Sequence, residues 1–178
     1  MATFRFDSLE EMGPAVAQYL NRAVPALYVA LRDEIAEQAM VKLVDFSPVG
    51  DPAVDPHPGK YRASHIPNAG SILTRVLPNM PAYPIPGIPE VEAATRGAGP
   101  AVSVFIANAA ADERRPDSSY AGLLEGGRRQ YSSVRSRKTI WIGSDQAPDG
   151  IYGPALRALQ GMRGTIVASA IERARKGI

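Results

Sequence analysis

The stretch Pro25-Ala26-Leu27-Tyr28-Val29-Ala30-Leu31-Arg32-Asp33-Glu34-Ile35-Ala36-Glu37-Gln38-Ala39-Met40-Val41-Lys42-Leu43-Val44-Asp45 decides the fold. Leu27, Leu31, Ile35 and Ala39 or Met40 recur at helical steps, and Tyr28, Leu43 and Val44 join them on one apolar face. Arg32, Asp33, Glu34, Glu37, Gln38 and Lys42 fill the other side. Glu34 and Gln38 have the i, i+4 spacing of surface partners, and Glu37 and Lys42 come close to it. This predicts a long helix lying across a sheet, with the Leu and Ile face in the core and the charged face in water. Pro25 suits its first turn, where a missing N–H goes unnoticed. Phe46-Ser47-Pro48 ends it, because the residue before proline is driven out of the helical region.

Upstream, Ser8-Leu9-Glu10-Glu11 matches a capping box. Gly13-Pro14 then interrupts, so a separate short helix is expected before a new start at Pro14. Phe4-Arg5-Phe6 reads as an edge strand or an arm. Downstream, residues 51–70 form an extended loop with room for a strand at Tyr61 to Ser64. Strands are expected at Ser71 to Leu77, at Val102 to Ala107 and at Thr139 to Ile142.

The segment Pro78-Asn79-Met80-Pro81-Ala82-Tyr83-Pro84-Ile85-Pro86-Gly87-Ile88-Pro89 excludes a helix or a central strand, and polyproline-like extension is its natural state. Its Tyr83, Ile85 and Ile88 bring more apolar surface than a free linker needs. It is either a linker tucked onto its own domain or an arm packed on a neighbouring subunit. From Pro154 to Lys176, Leu156, Leu159, Met162, Ile166, Val167, Ala170, Ile171 and Ala174 draw one apolar stripe along a second long helix. Gly161 and Gly164 weaken its middle.

Between these lies Ser118-Ser119-Tyr120-Ala121-Gly122-Leu123-Leu124-Glu125-Gly126-Gly127. Ser118 or Ser119 can cap a single helical turn, Tyr120, Leu123 and Leu124 share a face, and a glycine closes it. Arg128, Arg129, Arg135, Arg137 and Lys138 follow in a basic loop, a place where chains usually meet other molecules. With no βαβ alternation, the expected class is α+β. An antiparallel β-sheet is packed by a long N-terminal and a long C-terminal helix, with extended Pro-rich loops. A chain of 178 residues fits one domain, 1–178, with excursions at 47–70, 78–100 and 126–138.

Composition narrows the function. A net charge of +2 is too balanced for a dedicated nucleic-acid binder. The chain has no cysteine, which removes disulfides, thiolate metal sites and a cysteine nucleophile. It has no run long enough to span a membrane and no apolar leader at its start, so a protein of the cytoplasm is expected. His57 and His65 lie near Asp51 and Asp55, but without a metal-ligand spacing. Glu125 is a lone carboxylate at a turn, and His65 has no visible partner for nucleophilic catalysis. No phosphate loop, nucleophile elbow or zinc-protease helix is present. The expectation is a non-enzyme with no cofactor and no metal.

The final third resembles the tail-completion, or neck, proteins of long-tailed bacteriophages. The resemblance rests on Tyr120, Ala121, Leu124, Glu125 and Gly127, then Gln146-Ala147-Pro148, then a C-terminal helix through Met162-Arg163-Gly164-Thr165-Ile166. Phe46-Ser47-Pro48-Val49-Gly50-Asp51 followed by Gly59-Lys60-Tyr61-Arg62-Ala63-Ser64 is similar to that family's turn and basic strand, interrupted by residues 51–58. The Pro-rich 78–89 segment and residues 128–143 are additions to the family pattern.

The resemblance implies a structural virion protein, assembled in the host cytoplasm, in a ring between the head-adaptor assembly and the tail tube. Its implied partners are copies of itself, portal-side adaptors, and tail-tube or tail-terminator proteins, with DNA passing non-specifically through the lumen. Interface or channel residues would be Arg128, Arg129, Arg135, Arg137, Lys138, Tyr83, Ile85 and Ile88. Two rivals stand beside it: a head-closure adaptor of the same connector, and a nucleic-acid-binding module using residues 128–138.

Overall fold

A computed structural model describes residues 9–53, 57–73, 77, 79–112, 115–119, 129–132, 139–142 and 147–177, with β3 to β6 described through their backbone pairing. The fold is α+β, with a long N-terminal helix, C-terminal helices and small antiparallel sheets. Helix α1 (Leu9–Phe46) is its spine. Against it pack α3 (Ile88–Thr95), α4 (Tyr152–Gly161), α5 (Arg163–Lys176), and the pair β1 (His65–Ala69) and β2 (Val104–Asn108). Helix α2 (Lys60–Ala63) is a single turn leading into β1.

The 38-residue α1 replaces the separate helices expected before Pro25. Pro14 and Pro25 both lie inside it. Each removes one N–H from the ladder, but the bonds on either side carry the helix past a single gap. Glu10 and Glu11 in the first turn suit the positive end of the helix dipole. At the other end, the Ser47 hydroxyl donates to the Leu43 carbonyl at 2.6 Å and Arg62 Nε donates to that of Val44 at 3.0 Å. Those bonds satisfy carbonyls that a helix end leaves without partners.

The face of α1 that enters the core is only in part the one its Leu and Ile spacing predicts: Met40, Leu43 and Val44 go in as expected, and Ala30 and Ala36 go in with them. Leu27, Tyr28 and Ile35 are exposed instead. Ala30 meets Ala170 and Ala174 of α5, with Ala26 and Leu31 at the margin. Small side chains let the two helices approach closely, which turns the larger residues outward. Met40, Ala36 and Val44 enclose Val91 of α3. Leu43 joins Tyr61, Ala110, Ala147, Ile151 and Ala155 in the remaining cluster.

Strands β1 and β2 pair antiparallel, with His65 opposite Asn108 and Ala69 opposite Val104. Pro67 is tolerated because β1 has β2 as its sole strand partner among the described residues. The expected strand at Tyr61 to Ser64 is the turn of α2 instead, entered through Gly59 at φ 83°. Ser71 to Leu73 and Leu77 belong to no strand. Helix α3 was not expected at the end of the Pro-rich run. Pro89 sits in its first turn, and the Glu90 carboxylate accepts the Gly87 N–H at 2.6 Å.

Beyond β2 comes the hairpin of β3 (Ala111–Asp112) and β4 (Arg115–Ser119), which the alanine-rich, polar sequence there does not announce. Ser118 and Ser119 are therefore in a strand, and Tyr120 to Arg128 lie outside the described residues. Strand β5 (Arg129–Ser132) pairs with β6 (Thr139–Ile142), so part of the expected basic loop is strand. The C-terminal stripe is split at Met162, between Gly161 and Gly164, where glycine's low helix propensity favours a break.

Candidate functional site

An open apolar surface runs along α1. Met12, Val16, Leu20, Val24 and then Leu27 and Tyr28 recur at three- and four-residue steps, Ile35 lies two turns further on, and all are exposed, Tyr28 at 62% and Ile35 at 45%. At its C-terminal end this row becomes one wall of a groove of about 660 Å³. Tyr28, Leu31, Ile35 and Ala39 of α1 form that wall. Residues 100–103 and Val104 of β2 form a second, and Tyr152, Leu156 and Leu159 of α4 a third. Leu156 is 57% exposed.

Arg32 is the only charged residue lining the groove among the described residues, and its charge is already engaged. Its guanidinium pairs with Asp33 at 2.7 Å and donates to the carbonyls of Gly99 at 2.6 Å and of Ala98 and Val102 at 3.3 Å. One side chain thus staples the 98–102 loop to the helix and holds up the second wall. Arg32→Ala is expected to cost about 1.5 kcal/mol, the worth of charge-assisted hydrogen bonds to backbone. It should also speed amide exchange across 98–102, and unchanged exchange there would show that the loop holds itself.

On the opposite side of α1, Glu34 and Glu37 are buried, contrary to their expected place on a solvated face. Arg173 of α5 explains this. It donates to both Glu37 carboxylate oxygens, at 2.7 and 2.8 Å, and its Nη2 lies 3.5 Å from Glu34. The hydrogen bond to Glu37 raises the Arg173 pKa further above its ordinary value. Glu37 finds its partner here rather than at Lys42, which pairs with Asp45 at 3.4 Å.

A Ser–His–Asn arrangement exists that the sequence did not reveal. Ser47 Oγ lies 2.7 Å from His65 Nε2, and Asn108 Nδ2 is 3.4 Å from the ring. The Ser47 proton is committed to Leu43 O, so Ser47 accepts from His65 Nε2–H. Tyr61 and Tyr152 meet the imidazole edge-on. His65 is 2% exposed, and burial lowers its pKa to about 4. The set is sealed from substrate and pins the end of α1 to the sheet. Among the described residues no three His, Asp or Glu side chains converge to hold a metal.

Of the sequence-predicted residues, Tyr83 accepts the Met80 N–H with its hydroxyl at 3.2 Å. Ile85 is 58% exposed, and Ile88 opens α3 half-exposed. Arg129 opens β5, and Pro148 lies in the turn closed by Gly150 N–H to Ala147 O at 3.2 Å. Arg128, Arg135, Arg137, Lys138, Tyr120, Leu124, Glu125, Gly127 and Gln146 lie outside the described residues. The groove residues Tyr28, Leu31, Ile35 and Leu156 were legible as apolar but assigned to the core. The alanines at 26, 30, 170 and 174 were the signal for the true contact face. No described helix is long and apolar enough to cross a membrane. Comparison with known protein families, curated proteins and solved structures finds no match.

Proposed function

We propose that the chain is a structural ring subunit of a bacteriophage neck, joining the head-adaptor assembly to the tail tube. The observation that carries this reading is the apolar row from Met12 to Ile35, continuous with the groove against α4. A chain working alone would leave water in contact with most of it, whereas a ring subunit covers such surface with its neighbours. The likeness of Tyr120 to Gly127 and Gln146 to Pro148 to neck proteins gives that general reading its particular place. The closed Ser47–His65–Asn108 set supports a structural rather than a catalytic role, because a nucleophile must be reachable.

Antibody raised to the chain should decorate the head–tail junction of particles in electron micrographs. Label elsewhere on the particle, or none, would overturn the assignment. Nucleic-acid binding is the independent check. A lumen-lining subunit should bind duplex DNA weakly as a monomer. Tight monomer binding that falls steeply with salt, and falls again on Arg128→Ala with Arg129→Ala, would transfer the function to a nucleic-acid module.

A further inference from the structure

We propose that the groove between α1, β2 and α4 receives the segment Pro81 to Pro86 of a second copy of this chain, head to tail. The groove selects for an occupant with little polar backbone. Its walls are apolar, and Arg32 is already bound by Asp33 and three carbonyls. An ordinary strand buried there would bring N–H groups without partners, at a cost. Pro81, Pro84 and Pro86 carry no N–H, and no charge occurs from Pro78 to Pro89. Extended proline-rich segments bind aromatic-lined apolar grooves for this reason, and Tyr28 and Tyr152 supply rings here.

The segment is presented outward. Pro81, Ala82, Pro84 and Ile85 are exposed, and Ile85 has the largest apolar side chain among them. Both of its ends are tied within its own chain. Lys60 donates to Asn79 at 2.7 Å before it, and Gly87 is tied to Glu90 after it. None of these residues lines the groove, so the occupant comes from another copy. Charge agrees with that docking. Exposed Glu90 and Glu92 follow the segment, and exposed Arg157 is the next residue after Leu156 on α4, with exposed Arg163 opening α5. Two different patches of one chain make a heterologous contact, which closes into a ring or continues as a filament. The inference rests on the oligomeric part of the neck reading, not on its place in a virion.

The absence of native cysteine allows a direct test. Ile85→Cys and Leu156→Cys are made separately, then mixed and oxidised. The mixture is expected to give a disulfide heterodimer in about tenfold excess over the homodimer of either variant alone, since only unlike patches meet. Equal homodimer from Leu156→Cys alone, or no heterodimer from variants that melt with the wild type, would overturn the proposal. Ile85→Glu should weaken self-association of the chain about a hundredfold in sedimentation, because a carboxylate is driven into an apolar groove. Unchanged association would also overturn it. For the unmodified chain, a peptide of residues 79–88 should shift the NMR signals of Leu31, Ile35 and Leu156. Shifts confined to other residues would refute the docking. Unlabelled particles alongside a positive cross-link would sink the neck reading and leave this contact standing.

Discussion

Between pH 6.5 and about 4, the protein is expected to lose roughly 3 kcal/mol of stability through His65 alone. The imidazole is buried at the junction of α1, α2 and β1, against the edges of two tyrosines. Burial lowers its pKa from 6.5 to about 4. As pH falls through 6.5, an unfolded chain takes up a proton that the folded chain refuses. Over that window the unfolded state binds more protons, so stability falls with pH. Above 6.5 both states are neutral at this residue and its contribution is flat. Below about 4 both are protonated and it is flat again. Urea unfolding near neutrality and near the lower limit, for wild type and His65→Gln, isolates the effect because carboxylate titrations are common to both. Identical pH slopes in the two proteins would show that the ring is solvated.

The second large effect belongs to Arg173. Arg173→Ala is expected to destabilise by about 2–3 kcal/mol, because it strands two carboxylates inside the helix interface. Glu37 is 3% exposed and loses both of its strongest hydrogen bonds. The figure sits at the low end for a buried pair because Arg173 itself keeps contact with water. Arg173→Lys should recover only part of the loss, since an ammonium cannot reproduce the two-pronged contact. Replacing Arg173 and Glu37 together by leucine should come closer to wild type than Arg173→Ala does. Thermal unfolding of the three variants decides this. Wild-type stability in Arg173→Ala would mean that the carboxylates reach solvent without it.

Both effects come from contacts between residues far apart in the chain, and that is where sequence reading lost ground. His65 lacked a visible partner because Ser47 and Asn108 lie 18 and 43 residues from it. Glu37 was paired with a near neighbour on its own helix because that spacing is local, whereas Arg173 is 136 residues away. The prolines misled in a different way. Read one at a time, Gly13-Pro14 and Pro25 are breaks, yet the helix runs through both because each removes only a single hydrogen bond. The start of α3 was hidden by the same habit, since Pro89 continues a proline run and also opens a helix.

Periodicity was enough to establish α1 from Pro25 onward, helix from Pro154 to Lys176 though not its break at Met162, the strand read at Val102 to Ala107 and found at Val104–Asn108, and the α+β class, because these follow from spacing within one segment. The part of the apolar row from Leu27 to Ile35 was equally visible, whereas its continuation back to Met12 was not read. What periodicity does not contain is a direction in space: an apolar face is drawn by the helix, but the surface that covers it is supplied by the rest of the fold. Here the alanines of α1 and α5 make the closer contact, and Arg173 draws Glu34 and Glu37 inward with them. That packing rotates Tyr28, Ile35 and Leu156 to the outside. Only the tertiary structure decided that Leu27, Tyr28 and Ile35 of that stripe are open surface while Met40, Leu43 and Val44 enter the core, because small side chains at a helix crossing outcompete large ones for proximity.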